Sequence, residues 1–242
     1  NCNVLLNEIV HDSSFIKRKV YSIQNNMKTL IYDEQLFRVM YVLSRDGHLN
    51  ICKYLTSIGV YNNNAKRSHV LIVAAEYGHL KLCEYYVSIG NTNFTEPLSG
   101  AAMNGHMEVC KYFVSLGANN FDWALYSATC RGHLELSKYF IELGATNFEE
   151  ALEQAAGGQN IELYKYLVPL CETHVGKIEF EDSLNMAAHV GDLEMCKYIV
   201  SLGIADFGEG DIQEAIGHAI YENNDKVVQY LESVIIEYKL ND

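Results

Sequence analysis

The chain has 242 residues with two Pro, seven Cys and a formal net charge of −13. No apolar run approaches the roughly 20 residues that a membrane-spanning helix needs, no signal-peptide pattern opens the chain and no low-complexity tract offers a linker. The expectation is one intracellular, cytoplasmic-type domain with no membrane segment. The charge is uneven: residues 1–91 carry ten Lys/Arg against seven Asp/Glu, a net of +3, and residues 92–242 carry eight against 24, a net of −16. The excess around Lys17, Arg18 and Lys19 is too small to form the basic stripe that nucleic acid requires, so no nucleic-acid partner is expected. The first residue is Asn1 rather than Met, which leaves room for a longer polypeptide.

In chain order, residues 4–24 read as a degenerate helix pair, with Val4, Leu5 and Ile9, then Ile16, Val20 and Ile23, turned inward. From there the sequence is periodic. One position, usually Gly followed by His, recurs at Gly47, Gly78, Gly105, Gly132, Gln159, Gly191 and Asn223, in steps of 31, 27, 27, 27, 32 and 32 residues. After each of these residues comes a short helix with a wide apolar face, as in residues 134–143, closed by a glycine such as Gly144 in the left-handed conformation. Before each lies a thinner helix rich in small residues: Leu71 to Ala74-Ala75, Leu98 to Ala101-Ala102, Leu125 to Ala128, Leu152 to Ala155-Ala156, and Leu184 to Ala187-Ala188. Small side chains let inner helices approach closely, so the stack should curve with these helices on its concave side. The pairs are joined through Asn93-Phe94, Asn120-Phe121 and Asn147-Phe148, with Phe180 in register. A tight turn is expected there, with Asn left-handed and Phe plugging the gap between adjacent units. Residues 225–238 give the last helix, with Val227, Val228, Leu231 and Ile235 inward. Charged residues on the outer faces of both terminal units read as caps.

The order Glu96-Pro97-Leu98-Ser99-Gly100-Ala101-Ala102-Met103-Asn104-Gly105-His106-Met107-Glu108, closed by Gly117-Ala118, resembles the ankyrin repeat family. The resemblance is strong over residues 70–203 and covers about 36–238. It implies an all-α, ankyrin-type helix-turn-helix solenoid, here a single array over residues 1–242 with an N-terminal cap at 1–35, core repeats at 36–211 and a C-terminal capping repeat at 212–242. Pro97 alone keeps the family's Pro, and the 27-residue steps lack about six of the roughly 33 residues usual in the unit. The loss falls where the family extends its hairpin, so the inter-repeat hairpins are expected to be shortened. The Cys-Lys-Tyr blocks are similar to the ankyrin arrays of amoeba-infecting giant DNA viruses, which would place the protein in a host cytoplasm or a virion.

The repeated His invites a metal, but a stacking interval of about 10 Å separates equivalent residues, whereas ligands sharing a zinc ion lie within about 4 Å of one another. Cys52, Cys83 and Cys110 share one repeat position and are too far apart for disulfides, so they read as reduced core residues. No cofactor motif occurs. Glu149, Glu150 and Glu153 form a possible acidic dyad, and Cys130 or Cys171 a possible nucleophile, but neither has an accompanying device and no enzyme activity is expected.

At the first turn of the inner helices stand Glu96, Trp123, Glu150, Asp182 and Glu214, preceded by Thr95, Asp122, Glu149, Glu181 and Gln213. One acid per helix is explained by the helix dipole; a doubled row that includes the chain's sole Trp is not. By resemblance, partners meet such arrays at the turn tips and at the two residues before the Gly-His. The candidate binding surface is therefore Glu76, Tyr77, Met103, Asn104, Asp122, Trp123, Arg131, Glu149, Glu150, Glu181, Asp182 and His189, and the expected ligand is a basic protein partner. Two alternatives stand beside this reading: an end-to-end structural component of a viral particle, with weak head-to-tail self-association, and a substrate-recruiting adaptor for a ubiquitin ligase, for which residues 204–242 show no box.

Overall fold

The computed structural model describes residues 31–57, 64–203 and 207–241. The helix pair expected at 4–24, with Lys17, Arg18 and Lys19, lies outside the described residues. Among these residues the secondary structure is helical, without strands. The helices come in pairs: α1 (Ile31–Arg45) with α2 (Leu49–Ser57), α3 (Asn64–Glu76) with α4 (Leu80–Ser88), α5 (Thr95–Met103) with α6 (Met107–Ser115), and α7 (Phe121–Thr129) with α8 (Leu134–Glu142). They continue with α9 (Phe148–Gly157) and α10 (Ile161–Val175), α11 (Glu181–Val190) and α12 (Leu193–Gly203), and α13 (Glu209–Tyr221) and α14 (Asp225–Asn241).

Contacts divide the described residues into two compact units, one holding residues up to 101 together with 108–118 and the other holding 102–107 together with 119–241. In the first, α1 packs on α3 and α2 on α4; in the second, the inner helices α7, α9, α11 and α13 pack in sequence. Each outer helix buries neighbouring positions and the residue one turn on, as with Leu82, Cys83 and Tyr86, Leu136, Ser137 and Phe140, or Met195, Cys196 and Ile199. Each inner helix buries its Leu and its small residues, so that Leu152, Ala155, Ala156, Leu184, Ala187 and Ala188 are all enclosed.

The seven phase-marking residues share one backbone state. Gly47, Gly78, Gly105, Gly132 and Gly191 have φ between 70° and 80°, and Gln159 and Asn223 adopt 56° and 60°. This left-handed residue turns the chain from inner to outer helix, which is why glycine dominates the position. The His or Asn that follows bonds backwards onto the preceding repeat. His79 Nε2 lies 2.7 Å from the Arg45 carbonyl and His133 Nε2 lies 3.0 Å from that of Met103, so in both Nε2 is the donor. Asn160 donates to the Gly132 carbonyl, and Asn224 to those of Ala188 and His189. The backbone is thereby stitched from repeat to repeat.

Three sequence expectations change. Asn120 and Asn147 have φ of −84° and −79° with ψ of 68° and 71°, an inverse-γ geometry at the helix start rather than the left-handed one. Phe94 and Phe121 stack on Phe113 and Phe140, with ring centroids 5.7 and 6.5 Å apart, so these rings cover the outer helix of their own pair. Of the residues expected to point inward on the last helix, Val227 and Leu231 are buried, while Val228 and Ile235 are half-buried. The first 32-residue step is absorbed by α10, which at 15 residues outruns the nine-residue α2, α4, α6 and α8, reaches Val175 and ends at Gly176 with φ 87°.

Candidate functional site

The predicted surface residues fall in both units. Glu76 and Tyr77 lie at the end of α3 in the first unit, Glu76 half-buried with its Cγ beside Gly100, and Tyr77 exposed. The other ten lie in the second unit. There Met103 and Asn104 are half-buried and Arg131 is exposed, and the Met103 carbonyl is occupied by His133.

The centre of the surface is built on α7 and α9. Trp123, 49 % exposed, lies face to face on Tyr126, with centroids 5.0 Å apart and planes 8° from parallel. One helical turn on, the Cys130 thiol donates to Gln154 Oε1 at 3.2 Å, joining the two helices. Tyr126 was not among the predicted residues, although its spacing of three from Trp123 places both on one helix face. Its phenol is pushed above the ordinary range by Cys130 first, then by burial, with Glu150 and Glu153 adding to the effect. The aromatic pair and the carboxylates of the next helix therefore share one electrostatic neighbourhood.

The carboxylates continue across α9, α11 and α13. Burial, then the charges of Asp182, Glu150 and Glu149, holds the Glu153 carboxyl above its ordinary range. The Glu181 carboxyl is raised by Asp211 first, then by slight burial, then by Glu214, Asp182 and Glu179. Burial leads the shift at Glu153 and like charge the shift at Glu181, and both act in the same direction, so the retained proton relieves desolvation in one and repulsion in the other. Glu149, Glu181 and Asp182 are exposed, and Glu150 accepts a hydrogen bond from the Asn147 amide. Asp122 is differently employed. Its Oδ1 accepts from the backbone N–H groups of Thr146 and Asn147 at 2.6 and 3.0 Å, so it ties α7 to the turn entering the next pair. At the far edge, exposed His189 has Nδ1 3.9 Å from Glu222 Oε1 and its ring edge-on to His218, with centroids 6.1 Å apart.

Among the described residues no group of three or more His, Cys, Asp or Glu side chains is arranged to hold a metal ion. Burial pushes the thiols of Cys83, Cys110 and Cys196 up to about 12, which keeps them protonated and unreactive at neutral pH. No helix of the described residues is long and apolar enough to cross a membrane.

The family described as ankyrin repeats (3 copies) matches residues 71–151. Among curated proteins no sequence matches. Among solved structures, the human ASB11 ankyrin repeat domain superposes with a TM-score of 0.58 at 18 % identity, covering 81 % of this chain and 96 % of that one. The identity is low enough that the likeness speaks for the fold alone. Ankyrin repeats are in general protein–protein interaction modules and typically have no enzymatic activity. The chain thus has the all-helical ankyrin-repeat fold, and its residues 71–151 match the family itself.

Proposed function

We propose that this chain is a non-enzymatic binding module that takes a basic segment of a protein partner along the inner-helix face of its 119–241 unit. The observation that carries this reading is the shared field of Glu149, Glu150, Glu153 and Asp182 beside the exposed Trp123–Tyr126 stack. After burial, Asp182, Glu150 and Glu149 each raise the cost of ionising Glu153, and a Lys or Arg entering among them would lower it. An exposed aromatic face next to carboxylates also suits a cation, which is attracted to the ring's quadrupole. Trp123, Tyr126, Glu149, Glu150, Glu153 and Asp182 are the contact residues in this reading. Asp122 is assigned instead to holding the turn.

The Cys-Lys-Tyr blocks support reading the chain as one of the giant-virus arrays, acting in the host cytoplasm or the virion. A specific observation, the Trp123–Tyr126 stack beside the α9 carboxylates, favours the acidic-face reading over the end-to-end and ligase-adaptor alternatives. The test is affinity capture with the intact chain beside a Trp123→Ala, Glu150→Lys double variant of equal thermal stability. A basic partner retained by the first and lost by the second is the expected result. Equal retention by both would remove the acidic face as the binding surface.

A further inference from the structure

The end of α12 is built differently from the ends of the outer helices before it. Two residues beyond α4, α6 and α8 stand Gly90, Gly117 and Gly144, all with positive φ, and a Cβ on any of them would meet nothing within 4 Å. α12 instead keeps its helical course through Gly203, and two aromatic rings close on that residue. A Cβ there would lie 2.8 Å from Phe180 Cδ2 and 3.2 Å from Phe207 Cε2. Phe180 immediately precedes α11, and Phe207 lies two residues before α13, so the rings come from the starts of successive inner helices. Beside them a cavity of about 200 Å³ opens to solvent. Buried Ile178, Phe180 and Phe207 form its floor, and Lys177, Glu181 and Asp211 stand at its mouth.

Size and chemistry select the occupant. Small-molecule sites take roughly 300–1,000 Å³, so this cavity suits a single side chain. An apolar floor under a charged mouth fits a side chain with an apolar stem and a charged end. The carboxylates set the sign of that charge. Asp211 is held in place, its Oδ2 accepting from the Gly208 N–H at 2.7 Å. The Glu181 carboxyl is raised by Asp211 before anything else, with Glu179 adding to the effect, even though Lys177 stands at the same mouth. The two carboxylates therefore repel one another, and a cation entering between them would be attracted by both. We infer that this cavity anchors one Lys or Arg side chain of the basic partner, its stem on Phe180 and Phe207 and its charge between Glu181 and Asp211. The identity of the partner rests on the basic-segment reading above, whereas the chemistry of the anchor rests on the cavity alone.

n-Butylammonium reproduces the four-carbon stem and the charge of lysine, and methylammonium the charge without the stem. NMR titration of the full chain with each tests the anchor. n-Butylammonium should bind saturably, with intermolecular NOEs from its methylenes to the rings of Phe180 and Phe207, and methylammonium should not. Glu181→Gln should weaken n-butylammonium by at least about threefold, the scale of one partly exposed ion pair. Glu214→Gln removes an equal exposed charge outside the cavity and should have less than about half that effect. Both changes are at exposed sites and should leave the circular dichroism and thermal midpoint intact. Absence of the NOEs, equal weakening by the two variants, or equal binding of methylammonium would overturn the anchor. A lysine-rich peptide titrated in parallel separates this result from the basic-segment reading. n-Butylammonium seated on the two rings without peptide binding would support the cation pocket and sink that reading. Peptide binding that Glu181→Gln leaves unchanged would sink the anchor alone.

Discussion

The left-handed position shows how far one residue's chemistry is set by a neighbour in the next repeat. A Cβ on Gly191 would lie 2.5 Å from Asn224 Oδ1, and one on Gly105 would lie 2.8 Å from His133 Cε1, so the glycine is needed for space as well as for φ. Gln159 occupies the same backbone state, and the residue following the next marker is Asp192, which turns forward to accept from Met195 N–H at 3.0 Å and leaves the marker uncovered. Asn223, the last marker of the chain, likewise accommodates a side chain. Gly191→Ala should therefore lower stability by about 2 kcal/mol or more, combining left-handed strain with displacement of the Asn224 hydrogen bonds. Gln159→Ala should cost about 1 kcal/mol or less, since the left-handed strain is already present and the loss is confined to the exposed hydrogen bond from Gln159 Nε2 to the Val190 carbonyl. Paired urea titrations check the contrast.

Glu153 gives a second prediction at this scale. Its pKa is raised in the fold, so across the acid range the native state holds more protons than the unfolded one, and this group makes the protein less stable as pH rises through that range. Glu153→Gln should raise the urea midpoint at neutral pH. The gain should vanish at a pH low enough to protonate the carboxyl in both states. A variant equal to wild type at neutral pH would mean that neither burial nor the neighbouring acids penalise the carboxylate.

Among the helices, the inner ones have no slack and the outer ones have a solvated side. Ala128 on α7 is fully enclosed between neighbouring helices, and Ala128→Glu should cost more than about 3 kcal/mol because a buried charge would have no partner. Lys138 on α8 pairs at 2.8 Å with Glu135 on an exposed face, so Lys138→Ala should leave the urea midpoint unchanged within error. Equal effects would put the repeat phase in doubt. The phase itself was legible in the sequence, because the Gly-His dipeptides and the Leu-to-Ala runs report a local backbone state and a local packing demand. The Asn-Phe connections and Asp122 were not. Whether Asn turns left-handed, or whether Asp122 caps its own helix or the next turn, depends on the spacing between repeats, which a linear pattern does not carry. Tyr126 differs, since its spacing of three from Trp123 within α7 was legible; only its nearness to the α9 carboxylates depends on how the repeats stack. The acidic row itself was visible, since doubled carboxylates at successive helix starts exceed what helix dipoles call for.

For the whole molecule the distribution of charge matters more than its total. The excess of acid lies beyond residue 91, and the carboxyls that neighbouring acids help to raise, Glu153 and Glu181, stand on inner helices of the second unit, where the proposed basic partner would be drawn. The chain's sole tryptophan stands beside that face and can report on it directly. The most direct measurement is a titration of the intact chain with a lysine-rich peptide and with a glutamate-rich peptide of equal length, followed by Trp123 fluorescence at low and moderate salt. A saturable change with the basic peptide alone, weakened by salt and lost in a Glu149→Lys, Glu150→Lys variant, is the predicted result. No change with the basic peptide, or the same change with both peptides, would contradict the assignment of this face to a basic partner.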